Sequence, residues 1–151
     1  NALGDVVDPA TGATIAGART ADGRLLLHTR DAILAGEQPN PLLAGTNTTL
    51  GIVATDAVLT KAQAHRLAQV AHDGLARCIN PVHTMSDGDT VFALGTGKVA
   101  HALGMVRLST LAAEVTARAV LRAVRAARAV RYGADHWPAA CDLTGSAAQS
   151  G

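Results

Sequence analysis

TNTTLGIVATDAVLTKAQAHRLAQVAHDGLAR, residues 46–77, joins a strand pattern directly to a helix pattern. Residues 49–58 are rich in Val, Ile and Thr and have the length of a core strand. A helix is predicted after Thr60, because Thr60 and Gln63 fit a capping box that satisfies free N–H groups in the first turn. Asn80-Pro81 then ends it. The buried stripe of the helix is predicted from apolar residues at helical spacing: Leu67, Val70, Ala71, Leu75 and Ile79.

The flanking segments add further strands and one long helix. Residues 2–7 and 13–18 stand on either side of DPATG, whose Asp, Pro and Gly supply turn chemistry, so a strand-turn-strand is predicted there. TVFALGT, residues 90–96, predicts another strand. An Ala-rich helix is predicted over about 109–131, with Gly133 as its stop. Strands and helices in this order predict an α/β or α+β layered sheet.

Three segments are less regular. Residues 24–34 fit strand and helix patterns equally. Residues 35–47, AGEQPNPLLAGTN, contain two prolines, two glycines and two asparagines, and predict an exposed loop of the kind that is most easily cut. The tail over about 142–151 is predicted to be disordered.

The composition excludes several classes of protein. A hydrophobic content of 48% and a charged content of 17% fit one globular domain or part of one. A net charge of +1 gives no electrostatic case for nucleic acid, and no apolar run is long enough to span a bilayer. Cys78 and Cys141 are far apart and fit two reduced thiols, which favours a cytoplasmic location.

Thr48 begins the predicted strand directly after the loop. A threonine hydroxyl in that place can attack the carbonyl before it, and hydrolysis of the resulting ester frees a new N-terminal threonine. Its α-amine, with an ordinary pKa near 7.7–8.0, is then a base on the same residue as the nucleophile. From spacing alone a plain turn into a strand is favoured, because Asn-Thr pairs are common.

Asp87-Gly88-Asp89 brings two carboxylates together ahead of the next predicted strand. Paired carboxylates position an ammonium group, relay protons or bind a cation. The distal Glu of a calcium loop is missing, so calcium is not expected. A solvated turn explains the motif equally well.

The other polar patterns point to no ligand. The six histidines have no metal-ligand spacing, and only His83, beside the Asp pair, is a candidate for the site. A run of arginines at spacings of three and four predicts a solvated face or salt bridges rather than a nucleic-acid surface: Arg118, Arg122, Arg125, Arg128 and Arg131.

Three separated stretches resemble the DmpA-type aminopeptidase family. That family includes L-aminopeptidase/D-esterases, β-peptidyl aminopeptidases, a pantetheine hydrolase and the nylon-oligomer hydrolases. The stretches are NALGDVVDPATG, TNTTLGIVATDAVLTKAQAHRLAQVAHDGLAR and INPVHTMSDGDTVFALGTG. They occur in the family's order and at about its spacings, from Asn1 to about Gly97, while the Ala-rich helix is a looser fit.

The resemblance implies an α+β fold, a four-layer α-β-β-α sandwich of which this chain is the C-terminal portion. It also implies self-cleavage between Asn47 and Thr48. Residues 1–47 would then end an α chain, and residues 48–151 would form a β chain that begins at the nucleophile.

The resemblance implies the site residues as well. Thr48 matches the catalytic N-terminal nucleophile. Asp87 and Asp89 match the acidic pair of the nylon hydrolases, which helps to hold and tune that nucleophile. Asn1 matches the family's active-site asparagine, an oxyanion or substrate hydrogen-bond donor. Neither a metal nor a cofactor is expected.

The expected partners are the N-terminal part of the same enzyme and further αβ units, since the family assembles as tetramers of them. That N-terminal part carries substrate-pocket residues and, in the nylon hydrolases, a catalytic lysine. Peptides, D-amino-acid amides or esters, pantetheine and polyamide oligomers all fit one such nucleophile. Two other functions stay open: an acyltransferase with an N-terminal threonine, and a non-catalytic homologue that acts as a binding protein.

Overall fold

The computed structural model describes residues 2–37, 47–100 and 104–144 and has a mixed α and β fold. Its elements in chain order are β1 (Asp5–Val7), β2 (Thr14–Ala16), α1 (Thr29–Leu34), β3 (Leu50–Ala57), α2 (Lys61–Cys78), β4 (Ile79–Asn80), β5 (Thr90–Val99), α3 (Gly104–Ala126), β6 (Val130–Tyr132), β7 (Asp135–Trp137) and α4 (Cys141–Thr144).

The predicted strand-turn-strand at the start of the chain is confirmed. β1 pairs antiparallel with β2 and with β4, in the sheet order β2-β1-β4. Asp8 closes the turn by accepting the backbone N–H of Ala10 on its carboxylate and that of Gly12 on its carbonyl. Gly12 has a φ of 74°, a left-handed conformation that glycine adopts without strain.

The strand and helix predicted from residues 46–77 are confirmed as β3 and α2. The capping box is present, since Thr60 Oγ accepts the Gln63 N–H at 3.2 Å and Gln63 Oε1 accepts the Thr60 N–H at 2.9 Å. The chain returns through α2 to β5, which pairs parallel with β3 from Leu50 opposite Thr90 to Thr55 opposite Gly95. These elements form a βαβ unit.

The core lies where α2 covers one face of the β3–β5 sheet. Its buried members include Val53 and Val91 from the strands and Leu67, Ala71 and Leu75 from the helix. Truncation of either buried leucine to alanine typically costs about 2–5 kcal/mol. Of the predicted stripe, Val70 is half-buried, and Ile79 is buried in β4 rather than in the helix.

A glycine allows α3 to pack closely on α2. A Cβ built on Gly74 would lie 2.3 Å from the carbonyl oxygen of Ala113 and 2.7 Å from Thr116 Cβ. Glycine at this position therefore sets the distance between the two long helices.

The predicted boundaries of the long helix are wrong. α3 begins at Gly104 and ends at Ala126, and residues 130–137 form an antiparallel hairpin of β6 and β7. Val130 and Tyr132 favour a strand, and Gly133, with a φ of 59°, serves the hairpin turn instead of a helix stop. The five arginines therefore do not share one helix. Arg118 pairs with Glu114, and Arg125 pairs with Asp8.

The irregular segments have mixed outcomes. The ambiguous residues 24–34 contain α1 over their second half. Most of the predicted loop, residues 38–46, lies outside the described residues. The tail predicted from 142 overlaps α4, and residues 145–151 are outside the described part. Within residues 2–37, 47–100 and 104–144, no helix has the length and apolarity needed to cross a membrane.

Candidate functional site

The parallel pairing of β3 and β5 brings the three central residues of the predicted site to one sheet edge. Thr48 precedes β3, and Asp87 and Asp89 precede β5. Because parallel strands point the same way, the starts of both strands lie side by side. The pairing extends beyond the strands as an isolated bridge between Asn47 and Asp87. The structure therefore brings Thr48 and the Asp pair close together in space.

The peptide group between Asn47 and Thr48 is held from two sides. Thr48 Oγ donates a hydrogen bond to the Asn47 carbonyl oxygen at 2.6 Å. The Gly88 N–H donates to the same oxygen at 2.8 Å. Two donors on one carbonyl polarise it and favour negative charge on its oxygen. Gly88 also leaves room for the hydroxyl, since a Cβ there would lie 3.0 Å from Thr48 Oγ.

Asp87 organises the backbone around the site. Its Oδ2 accepts the N–H of Thr84 at 2.9 Å and the hydroxyl of the same residue at 2.7 Å. Its Oδ1 accepts the backbone N–H of Leu3 at 3.3 Å. Asp87 therefore joins the loop before β5 to the first residues of the chain. Asn1, the remaining expected site residue, lies outside the described residues.

Asp89 lies deeper, with only 2% of its side chain exposed. Its Oδ1 accepts the backbone N–H of Thr49 at 2.9 Å. Its Oδ2 lies 2.8 Å from His83 Nδ1, an ion-pair distance, although this oxygen forms no regular hydrogen bond with any described residue. One carboxylate oxygen thus holds the backbone next to Thr48, and the other faces an imidazole.

A second imidazole stands behind His83. His72, on α2, places its Nδ1 3.3 Å from His83 Nε2, and the ring centroids are 4.8 Å apart. Burial and then the neighbouring His83 lower the pKa of His72 below its ordinary value of 6.5, against the opposing effect of Asp89 and Asp73. The neutral form of His72 is therefore favoured beside His83.

The site contains polar atoms that are buried and without a hydrogen-bond partner among the described residues. Besides Asp89 Oδ2 they are Asn47 Nδ2 and Thr49 Oγ. Most buried polar groups in folded proteins are paired, so a concentration of unpaired ones is typical of sites that bind or react. An open, apolar cavity of about 580 Å³ between β3 and α3 begins beside Thr49 and Leu50.

The Cys78 thiol and the possible metal ligands offer no alternative site within the described residues. Burial raises the pKa of the Cys78 thiol to about 11, so that thiol stays protonated and unreactive. No group of three His, Cys, Asp or Glu side chains that could hold a metal ion occurs in the described ranges.

Two features of the site escaped the sequence. The Gly88 N–H is invisible as a motif, because every residue except proline has a backbone donor. The contact of His72 with His83 joins a helix to a distant loop. His83 was singled out for its position near the Asp pair, whereas His72 was interpreted as a structural or surface histidine.

The Thr48 hydroxyl contacts a polarised peptide carbonyl, and two carboxylates lie in the loop beside it. This geometry makes Thr48 a candidate nucleophile in a mixed α and β fold. The chain belongs to peptidase family S58, whose model matches residues 8–137. This match confirms the resemblance that the three stretches carry.

Several relatives support the same family. An uncharacterized aminopeptidase of Mycobacterium leprae is 41% identical over 143 residues, which cover 86% of this chain and 40% of the relative. An uncharacterized aminopeptidase of Mycobacterium tuberculosis is 49% identical over 104 residues, 66% of this chain and 30% of the relative. A 6-aminohexanoate-oligomer endohydrolase of an Agromyces species is 33% identical over 63 residues, 42% of this chain and 18% of the relative. The chain spans 40% or less of the length of these relatives.

Proposed function

We propose that the chain is part of a self-processing amide hydrolase that cuts itself between Asn47 and Thr48 and then uses Thr48 as its N-terminal nucleophile. The observation that carries the proposal is the contact of Thr48 Oγ with the Asn47 carbonyl, whose oxygen also accepts the Gly88 N–H. Membership of peptidase family S58 and the names of the relatives support amide-bond hydrolysis.

Self-cleavage would proceed as a shift of the acyl group from nitrogen to oxygen. Thr48 Oγ bonds to the carbonyl carbon of Asn47, and the bond from that carbon to the Thr48 nitrogen breaks. The hydroxyl proton ends on the released amine. Negative charge that develops on the carbonyl oxygen is stabilised by the Gly88 N–H. Water then hydrolyses the ester to an Asn47 carboxylate and a restored Thr48 hydroxyl.

Turnover would reuse the same residues. The freed α-amine of Thr48 has an ordinary pKa near 7.7–8.0 and acts as the base for its own hydroxyl. That hydroxyl attacks the substrate carbonyl, and water resolves the acyl-enzyme. Asp87 and Asp89 would orient the amine, a role that their positions at the adjoining strand start support. Asn1 is proposed as an oxyanion donor on the strength of the resemblance alone.

The proposal extends to the complete fold, the assembly and the substrate class. The described strands and helices would be part of a four-layer α-β-β-α sandwich completed by residues outside this chain, and the αβ units would assemble as tetramers. One apolar sheet surface is consistent with a further layer, since Leu50, Ile52, Phe92 and Leu94 are all exposed. A small peptide or a linear amide is the proposed substrate class.

The decisive experiment is the intact mass of the complete gene product that contains this chain, with N-terminal sequencing. We expect two chains, one of which begins at Thr48. Thr48→Ser keeps a hydroxyl and should still be cut, whereas Thr48→Ala should remain one chain and lose turnover by roughly a thousandfold or more. A folded but uncut wild-type protein, or turnover retained by Thr48→Ala, would contradict the proposal. Product analysis with an added amine acceptor separates hydrolysis from acyl transfer.

A further inference from the structure

A line of three side chains runs from the buried side of the site towards the surface. Asp89 holds the Thr49 N–H through Oδ1 and faces His83 Nδ1 through Oδ2 at 2.8 Å. His83 Nε2 in turn lies 3.3 Å from His72 Nδ1. The exposure of the side chains rises from 2% at Asp89 to 38% at His83. The line therefore connects the backbone next to Thr48 with groups that exchange protons with solvent.

The backbone conformation of His83 is part of this arrangement. Its φ is 57°, in the left-handed region that few non-glycine residues adopt. The loop thus holds the His83 backbone in an unusual conformation, and the imidazole lies between a buried carboxylate and a second ring. Strained positions of this kind are concentrated at functional sites.

The contacts of the two rings favour a neutral His72. His83 Nδ1 faces the Asp89 carboxylate at 2.8 Å, and His83 Nε2 and His72 Nδ1 share one hydrogen bond. Neutral His72 agrees with the burial that lowers its pKa. The charged groups of the described residues that act on His72 are His83, Asp89 on the loop before β5, and Asp73 on α2. Protonation of His72 would place added positive charge against His83, the neighbour that already lowers the pKa of His72, and would disturb the Nε2–Nδ1 hydrogen bond.

We propose that His83, supported by His72, is a positioning residue that holds Asp89 against the backbone of the nucleophile and so makes processing at Thr48 sensitive to pH. This inference rests on the proposed function, because its kinetic consequence is the rate of cleavage at Thr48. His83 acts through Asp89 and touches no reacting atom.

The test compares two nearly isosteric replacements in the complete gene product. Asn and Asp both tolerate a positive φ and have almost the same shape. His83→Asn keeps a donor towards Asp89, and His83→Asp replaces that donor with a second negative charge. We expect His83→Asp to process roughly 10- to 100-fold more slowly than His83→Asn, because a second carboxylate would repel Asp89 at the place where the imidazole now faces it. The rate of His83→Asn should also lose the acidic limb that the wild-type pH profile shows below about pH 6.5, where protonation of His72 disturbs its contact with His83.

Matched controls come from the same helix and from thermal unfolding. His65 is exposed on α2, so His65→Asn and His65→Asp should process at the wild-type rate and with the wild-type pH profile. Thermal unfolding of both His83 variants shows whether either has lost its fold. Equal rates for folded His83→Asn and His83→Asp would overturn the inference.

A second measurement does not depend on cleavage. NMR of ¹⁵N-labelled histidine should show the His83 Nδ1 signal moving in Asp89→Asn, because the carboxylate that faces this nitrogen at 2.8 Å is gone. An unchanged His83 Nδ1 signal would overturn the inference even in a protein that never cuts itself. An uncut wild type with a moved His83 signal in Asp89→Asn would refute the proposed function and leave the His83–Asp89 pair established.

Discussion

Asp5 and Asp89 are two buried aspartates in different surroundings. Asp5, 3% exposed, accepts the Thr29 N–H at 2.6 Å through Oδ2 and the Thr29 hydroxyl at 2.7 Å through Oδ1. Asp89 accepts one backbone N–H and turns its other oxygen towards His83. Both oxygens of Asp5 thus accept hydrogen bonds from neutral groups of Thr29. One oxygen of Asp89 instead faces the imidazole of His83, a titratable group.

The difference distinguishes a carboxylate that stabilises the fold from one that the proposal places at the reacting site. Asp5 ties β1 to the start of α1, and Gly17 leaves space for its carboxylate, since a Cβ there would lie 2.0 Å from Asp5 Oδ1. A fully bonded carboxylate stabilises one conformation. An incompletely bonded carboxylate beside an imidazole costs stability, and it persists where the charge serves a reaction.

Between the two aspartates, the larger expected effect is on processing in Asp89→Asn. The amide keeps an acceptor for Thr49 N–H but loses the negative charge that faces His83 and, in the proposal, the Thr48 amine. Cleavage at Thr48, followed by intact mass over time, should slow about 100-fold or more. Thermal unfolding should change little, because the replaced oxygen has no regular hydrogen bond. Cleavage of Asp89→Asn at the wild-type rate would show that the charge of Asp89 does not serve processing at Thr48.

Asp5→Asn should show the opposite behaviour. An amide group facing the Thr29 N–H or hydroxyl replaces an acceptor with a donor, and the free energy of unfolding should fall by about 1–3 kcal/mol. Denaturant unfolding measures this fall. The exposed Asp31, paired with Arg30 on the surface, supplies the control Asp31→Asn, with an expected change within about 0.5 kcal/mol. Processing per folded molecule should stay at the wild-type rate in both variants, and a specific loss in Asp5→Asn would show that Asp5 also serves the site.

The smallest expected effect is the pH dependence of stability from His72. Its folded-state pKa is lowered from 6.5, mainly by burial and then by His83, so the unfolded chain takes up the proton first as the pH falls. The stability that neutral His72 contributes is complete above pH 6.5 and is lost as the pH falls from there through the lowered folded pKa.

Thermal unfolding at a series of pH values measures the contribution of His72. The midpoint of the wild type should fall more on acidification than that of His72→Gln, which cannot titrate. His65→Gln, at an exposed position of the same helix, should follow the wild type. Identical pH dependence in the wild type and His72→Gln would show that the His72 ring is not held in the neutral form.

Local patterns in the sequence were sufficient for β3, α2 and the first hairpin. The capping pair Thr60 and Gln63 marks the start of α2 by a contact within one turn, and the turn chemistry of DPATG is equally local. The predicted end of α3 was wrong because it also relied on a local pattern. Ala-rich helix propensity continues past Ala126, but pairing of Val130 with Trp137 in the hairpin overrides it, and such pairing depends on residues that helix propensity does not count.

Within the proposed site, residue types made Thr48, Asp87 and Asp89 visible as candidates, but spacing alone favoured a plain turn at Thr48 and allowed a solvated turn at the Asp pair. The resemblance to the DmpA-type family singled these residues out. Their proximity is a tertiary result. Thr48 and Asp87 are separated by the whole of β3 and α2, and only the parallel register of β3 and β5 brings Asn47 beside Asp87.

The sequence by itself determined the chemistry that is present: a hydroxyl, two carboxylates and a histidine in two short segments of a βαβ unit. Only the tertiary structure decided which atoms meet. It aimed the Gly88 N–H at the Asn47 carbonyl, and it placed His72 of α2 behind His83. The physical reason is that side-chain types and short-range propensities are properties of the chain, whereas strand register and helix packing are set by burial of the shared core.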